Sequence, residues 1–320
     1  MSLVHRAFAI VFVLAATVLC FVQAPPPGDA RPAGQGPAAR GFAPIEIGPL
    51  APVPPEVAIP RPSPEELAQV NQALKRLIDS DRSPAKPLLK KYESLLMLQP
   101  PRLNVAATYT PTRQRLGARH EGFVEIAKKG GIDLLLHGDS ITDWWVRGEN
   151  KAVFDKYFGN IRTANFAIAG DTTNGVLWGL KNGEGQGFQP KAIMLMIGTN
   201  NTGGTDHAGT QTAEEIAEGI GAVVQEMRTD FPNAKILLLG IFPRGLPGDP
   251  VRDKIARINR IISRLDDQRH VFYMDIGAKF LDEKGYFLPG VFMSDNLHPV
   301  AKGYDIWGAA VKDKLAELMK

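Results

Sequence analysis

An α/β fold, with a parallel sheet covered by helices on both faces, is what this chain predicts, and three observations predict it. Short apolar runs recur from Ile132 onward with little alternation, as suits strands buried on both faces. Helical stretches separate those runs, which is how parallel strands are joined. Three of the runs lead into a glycine followed by small polar residues: Gly138-Asp-Ser140, Gly170-Asp-Thr172 and Gly198-Thr-Asn200. In open α/β sheets the carboxyl ends of the strands face the ligand crevice.

Taken in order, residues 1–24 have the plan of a secretory leader: a basic start at His5 and Arg6, an apolar run over 7–22, and Val22-Gln-Ala24 before a candidate cleavage point. Left uncleaved, 7–22 would be a membrane anchor. Residues 25–62 are rich in Pro, Ala and Gly and are expected to be a disordered linker. Ser63-Pro64-Glu-Glu opens a helix carrying Leu67, Val70, Leu74 and Ile78 at helical spacing, and Ser83-Pro84 opens a second with Leu88, Leu89, Tyr92, Leu95 and Leu96 apolar. This helical extension, 63–117, is either a hairpin packed on the domain or a separate stalk. The domain proper is expected over 118–320. His120–Lys129 reads as a helix feeding the first strand, Ile132–Leu136. Strands are expected at 164–168, 192–197, 235–240 and 271–275, with helices over 173–181, 212–231, 253–265 and 299–319.

Composition excludes several classes. The 320 residues are 44% hydrophobic and 22% charged, an ordinary globular balance. A net charge of +3 without a long Lys/Arg run argues against nucleic acid. Cys20 is the only cysteine, so there is no disulfide framework and no thiolate metal site.

The chemistry gathers at the strand ends and in one late segment, Asp295-Asn-Leu-His298. A serine nucleophile needs a base within hydrogen-bond reach, and the base needs an orienting carboxylate. Ser140 stands at a strand end, and Asp295 lies three residues from His298, so one turn can join carboxylate and ring. Acyl transfer also needs donors for its oxyanion; the N–H groups of Ser140 and Gly170 and the Asn200 amide are candidates. Trp144, Asp171, Asn201 and Arg244 are candidate substrate contacts. Each has a structural alternative: core packing for Trp144, turn formation for Asp171, loop fixing for Asn201 and Arg244. Asp139 and Asp143 are read as cap and loop carboxylates, not metal ligands, and His207 as an exposed residue of the loop 202–209. The absence of Gly-x-Ser-x-Gly excludes the nucleophile elbow.

These four blocks resemble those of the SGNH (GDSL) hydrolases. Gly170-Asp-Thr-Thr-Asn-Gly-Val-Leu-Trp-Gly-Leu-Lys-Asn-Gly-Glu184, Gly198-Thr-Asn-Asn201 and Leu239-Gly-Ile-Phe-Pro-Arg-Gly245 are similar to one branch, the platelet-activating-factor acetylhydrolase catalytic subunits. The resemblance implies a flavodoxin-like three-layer α/β/α sandwich with a five-stranded parallel sheet. It implies Ser140 as nucleophile, His298 as base and Asp295 as its partner, and Gly170 and Asn200 completing the oxyanion hole. No cofactor and no metal are implied, and the branch suggests a homodimer. The leader-like start departs from that intracellular branch. The expected function is therefore an exported serine ester hydrolase acting on acetyl groups of a small-molecule or glycan ester. The alternatives are a lipid acetylhydrolase or lysophospholipase, and a non-catalytic glycan-binding module on the same fold.

Overall fold

The structure, a computed structural model, describes residues 44–203 and 211–320. The leader-like segment, residues 25–43 and His207 lie outside the described residues. Residues Ile45–Lys320 form one compact unit.

α1 (Pro64–Ser80) starts with a capping box: Ser63 accepts from the Glu66 N–H while the Glu66 carboxylate accepts from the Ser63 N–H. The second helical stretch breaks at Tyr92 into α2 (Lys86–Lys91) and α3 (Glu93–Leu96). α4 (Ala118–Lys129) feeds β1 (Leu134–Gly138), and a single turn, α5 (Ser140–Asp143), follows at once. Then come α6 (Asn150–Phe158), β2 (Thr163–Asn165), α7 (Thr173–Gly179) and β3 (Ala192–Met196). The chain continues with α8 (Ala213–Asp230), β4 (Lys235–Leu239), α9 (Pro250–Ile262), β5 (Val271–Met274) and α10 (Ala301–Leu318).

The five strands are all parallel, in the order β2-β1-β3-β4-β5. Alternate residues face opposite layers. Leu135, Ile193, Leu195, Ile236 and Leu238 pack with α4, α7, α8 and α9, while Leu134, Leu136, Met194, Met196 and Leu237 pack with α5, α6 and α10. The result is the expected three-layer α/β/α sandwich.

Residues 45–62, expected to belong to a disordered linker, are instead laid first against residues 107–110 and then along α8. Ala51 N donates to Ala107 O at 2.8 Å, and Val57 is buried in the space left by Gly221, where a Cβ would come within 2.3 Å of it. Arg61 grips buried Glu218 with two hydrogen bonds of 2.6 Å, and Asn104 Nδ2 adds a third at 2.8 Å. Proline-rich composition argues against a self-made core, but an extended strip needs only another element's surface. Residues on both sides of 117 and 118 belong to that same compact unit.

At the end of β1, Asp139 is fully buried and caps α5, its Oδ1 accepting from the Ile141 N–H at 3.0 Å. Burial, helped by the nearby Asp171 charge and opposed by the Ile141 N–H, pushes its pKa up to about 7. In the unfolded chain an aspartate titrates near about 3.9. The carboxyl is therefore easiest to bury when protonated: its contribution is fully favourable below about pH 4 and is lost as pH rises through about 7. Asp139→Asn should remove that slope. In urea unfolding, the variant should gain on the wild type between pH 5 and pH 8; an unchanged difference would show that Asp139 is not the titrating group.

Candidate active site

Strand order decides where the site lies. β1 and β3 are neighbours, and the chain winds outward from them in both directions, so the loops after these strands part and leave a crevice at their carboxyl ends. Gly138 closes β1 against β3; a Cβ there would lie 2.3 Å from Met196 O. Ser140, 5% exposed, follows in the first position of α5, where backbone N–H groups have no partner within the helix.

His298 arrives from the turn before α10. Its Nε2 is 2.9 Å from Ser140 Oγ, and its Nδ1 is 2.7 Å from Asp295 Oδ2. The other carboxylate oxygen accepts from the N–H groups of Leu297 (3.0 Å) and His298 (3.1 Å). Partial burial works to raise the Asp295 pKa, but these hydrogen bonds outweigh it and hold the carboxyl below its usual range. With Asp295 ionised, Nδ1 carries the proton and Nε2 can accept from the Ser140 hydroxyl. Asn296 makes the turn by adopting φ 51°, a left-handed conformation that asparagine tolerates. Buried Tyr304 on α10 donates to Ile141 O at 2.8 Å and so ties the histidine's helix to the serine's turn. The Trp144 ring stacks on the His298 ring, with centroids 4.1 Å apart and an interplanar angle of 20°. Arg147 covers Trp144 with its guanidinium 5.6 Å from the ring centroid. Trp144 thus touches the histidine directly, whereas Trp145 belongs to the core.

After β2, Gly170 turns at φ 83°. After β3, Asn200 Nδ2 donates to Asp171 O at 2.8 Å, so one amide joins the loops of both strands. Ser140, Gly170 and Asn200 thus stand at three neighbouring strand ends. Asp171 and Asn201, expected as substrate contacts, do not face the crevice: both are fully buried. Asn201 Oδ1 accepts from the Thr173 N–H at 3.1 Å, and Nδ2 donates to Gln211 Oε1 at 2.9 Å. Asp171 is consumed by Thr112, Thr172 and Arg115. Arg244 donates to Thr199 O (3.1 Å) and Thr202 Oγ1 (3.3 Å), and so holds the loop after β3. Asp143 receives Arg119 and Arg147, at 2.8 and 2.5 Å.

Sequence reasoning missed Arg115. A lone arginine in a turn carries no periodic signal, yet this one is fully buried. Glycines 175 and 179, one turn apart on α7, were the available sign, since side chains there would strike Asp171 and Glu184. Among the described residues, no group of three or more His, Cys, Asp or Glu is arranged to hold a metal ion, and no helix is long and apolar enough to cross a membrane.

Residues 136–306 match the model of the GDSL-like lipase/acylhydrolase family. Among curated proteins, the platelet-activating factor acetylhydrolase IB subunit alpha2 of Rattus norvegicus is 37% identical over 188 residues, 58% of this chain and 77% of its own length. The alpha1 subunit of Bos taurus is 31% identical over 207 residues, 63% of this chain and 84% of its own. A solved structure from Streptococcus pneumonia, described as a platelet activating factor, superposes with a TM-score of 0.51 at 22% identity, covering 62% of this chain and 91% of that one, and so shares its fold. The chain belongs to the GDSL-like lipase/acylhydrolase family and is an esterase of the GDSL/SGNH type.

Proposed function

We propose that this esterase removes short acyl groups, acetyl above all, from carbohydrate esters by a Ser140-His298-Asp295 mechanism. The observation that carries the mechanism is the continuous contact from Ser140 Oγ through the His298 ring to Asp295. His298 Nε2 takes the Ser140 proton as Oγ bonds to the ester carbonyl carbon. The resulting oxyanion is held by the Ser140 and Gly170 N–H groups and the Asn200 amide. As the ester C–O bond breaks, the proton on Nε2 passes to the departing alcohol. Water, deprotonated in turn by His298, then releases the acid and restores Ser140.

Acetyl as the acyl group is supported by the acetylhydrolase names of the relatives. A carbohydrate alcohol is supported by the leader-like start, which would carry the enzyme out of the cell, and by the exposed amide of Gln114 beside Gly170. A second reading, a phospholipid acetyl ester, is favoured by the names of the same relatives. A cavity of about 410 Å³ beside Trp144 offers Met293, Val300 and Ala301 to an acyl or alkyl chain and Arg147, Glu149 and Asn150 to a polar headgroup. Initial rates on acetylated xylo-oligosaccharides and on an acetyl phospholipid, with p-nitrophenyl acetate and octanoate as references, separate the two. Faster turnover of the phospholipid would reverse the preference.

Ser140→Ala and His298→Ala should lower kcat by about 10⁴-fold or more while the far-UV spectrum stays unchanged. Asp295→Asn should cost about 10- to 100-fold less, because it spoils the orientation of the base and leaves the nucleophile in place. Equal losses in all three would contradict these roles.

Asn200→Ala should reduce kcat by about 10²–10³ at nearly constant KM. Asn201→Ala should chiefly lower the Tm, since it empties a buried hydrogen-bond site. A larger kcat loss in Asn201→Ala than in Asn200→Ala would mean the donor has been assigned one residue too early.

A further inference from the structure

We infer that Arg115 is a positioning residue for the oxyanion loop, and that residues 112–117 of the amino-terminal extension are a working part of the active site. This rests on the reading of Gly170 and Asn200 as oxyanion donors.

Arg115 enters the core while its neighbours Arg113, Gln114 and Leu116 are exposed. Its Nε donates to Asp171 Oδ2 at 2.7 Å and its Nη2 lies 2.6 Å from the same oxygen. Nη1 donates to Glu184 Oε2 at 2.5 Å, and Nη2 to Phe166 O at 3.2 Å. Thr112 Oγ1, from the same turn, donates to Asp171 Oδ1 at 2.8 Å. The extension therefore grips the side chain of the residue that follows Gly170. Asn200 grips that residue from the other direction, through its carbonyl oxygen. Between them the two contacts hold Asp171 by its side chain and its carbonyl, and so set the residue next to the one that carries the Gly170 N–H.

The grip is built in depth. On α7, a Cβ at Gly175 would fall 2.0 Å from Asp171 Oδ1, and one at Gly179 would fall 2.8 Å from Arg115 Nη1. Both positions must lack a side chain for the guanidinium and its carboxylates to fit. Glu184 is itself held by His120 Nδ1 at 2.7 Å and lies 3.6 Å from His137 Nε2 on the strand that carries Ser140. Burial works to raise the Glu184 pKa, but Arg115 and the two histidines outweigh it and drive it far below the carboxylate range, so the site stays charged. Apolar side chains could fill this volume without the desolvation cost of a guanidinium and two carboxylates. What they could not do is hold one backbone segment at a set orientation by directional bonds, which is what a preorganised oxyanion site requires. The same turn also reaches the mouth of the site: a Cβ at Gly170 would lie 3.3 Å from Gln114 Nε2.

The test uses the full chain with Arg115→Lys, Thr112→Val and, as a control, Tyr109→Phe. The control removes the extension's 2.6 Å bond to Glu226 and leaves Asp171 untouched. Each is assayed well below its own Tm for kcat, KM and inhibition by phenylboronic acid, which forms a tetrahedral adduct on a reactive serine. Thr112→Val and Arg115→Lys should each lose about 10- to 100-fold in kcat and a similar factor in boronate affinity, with KM within about twofold and the control unchanged. If Arg115→Lys does not fold, Thr112→Val decides alone. Wild-type kcat and boronate affinity in Thr112→Val and in any folded Arg115→Lys, alongside a large loss in Asn200→Ala, would overturn the positioning role and leave the oxyanion assignment intact. An Asn200→Ala variant with wild-type kcat would instead bring down that assignment and this inference together.

Discussion

In a sheet whose strands all run one way, every strand ends on the same edge, and whatever chemistry the loops carry meets there. In this molecule β1 and β3 lie side by side at the centre of that edge. The serine turn, the glycine turn after β2 and the asparagine after β3 are brought to one edge by the strand register, and the Asn200 amide joins the last two. The histidine and its aspartate come from elsewhere, on the turn that leads into α10. The buried Tyr304 hydroxyl fastens that helix to the peptide after Ser140, so serine and imidazole are held across a gap of 158 residues in sequence.

Asp295 is 45% exposed at its side chain while His298 is 14% exposed. A carboxylate so open to solvent competes with water for the ring it orients, and exposed ion pairs contribute little by themselves. The imidazole has a second restraint in Trp144, whose face it stacks on, and Trp144 is backed by Arg147 and through it by Asp143. The base is thus held edge-on by a hydrogen bond and face-on by an aromatic ring, two directions that neither contact supplies alone.

The sequence was legible wherever local pattern and location coincide. Buried strands lose alternation, glycine marks a strand end, and Asp295 and His298 are close enough for one turn to join them. These features disclosed the sheet, its direction and the residues at its edge. Which way a loop side chain turns is decided by three-dimensional packing, and there the reading failed. Asp171 and Asn201 belong to the same blocks as Gly170 and Asn200, yet they point inward because Arg115 and Gln211 are there to receive them. Residues 45–62 look structureless since their partner, α8, lies more than 150 residues further along the chain. Arg115 was invisible for the same reason: its meaning depends on two carboxylates, Asp171 and Glu184, lying 56 and 69 residues beyond it.

Length of separation also sets an order of events. The strip that carries Ala51 and Val57 leaves the ribosome well before α8, the surface that covers it. During synthesis Arg61 and Arg102 lack Glu218 and Glu215 until 157 and 113 further residues, respectively, have been added. The strip therefore cannot dock before α8 has been made, and the entropy of closing so long a loop is met before its contacts offset it. Residues 45–62 are thus made well before the surface they need. Arg115 needs far less chain than the strip does, since Asp171 lies only 56 residues beyond it.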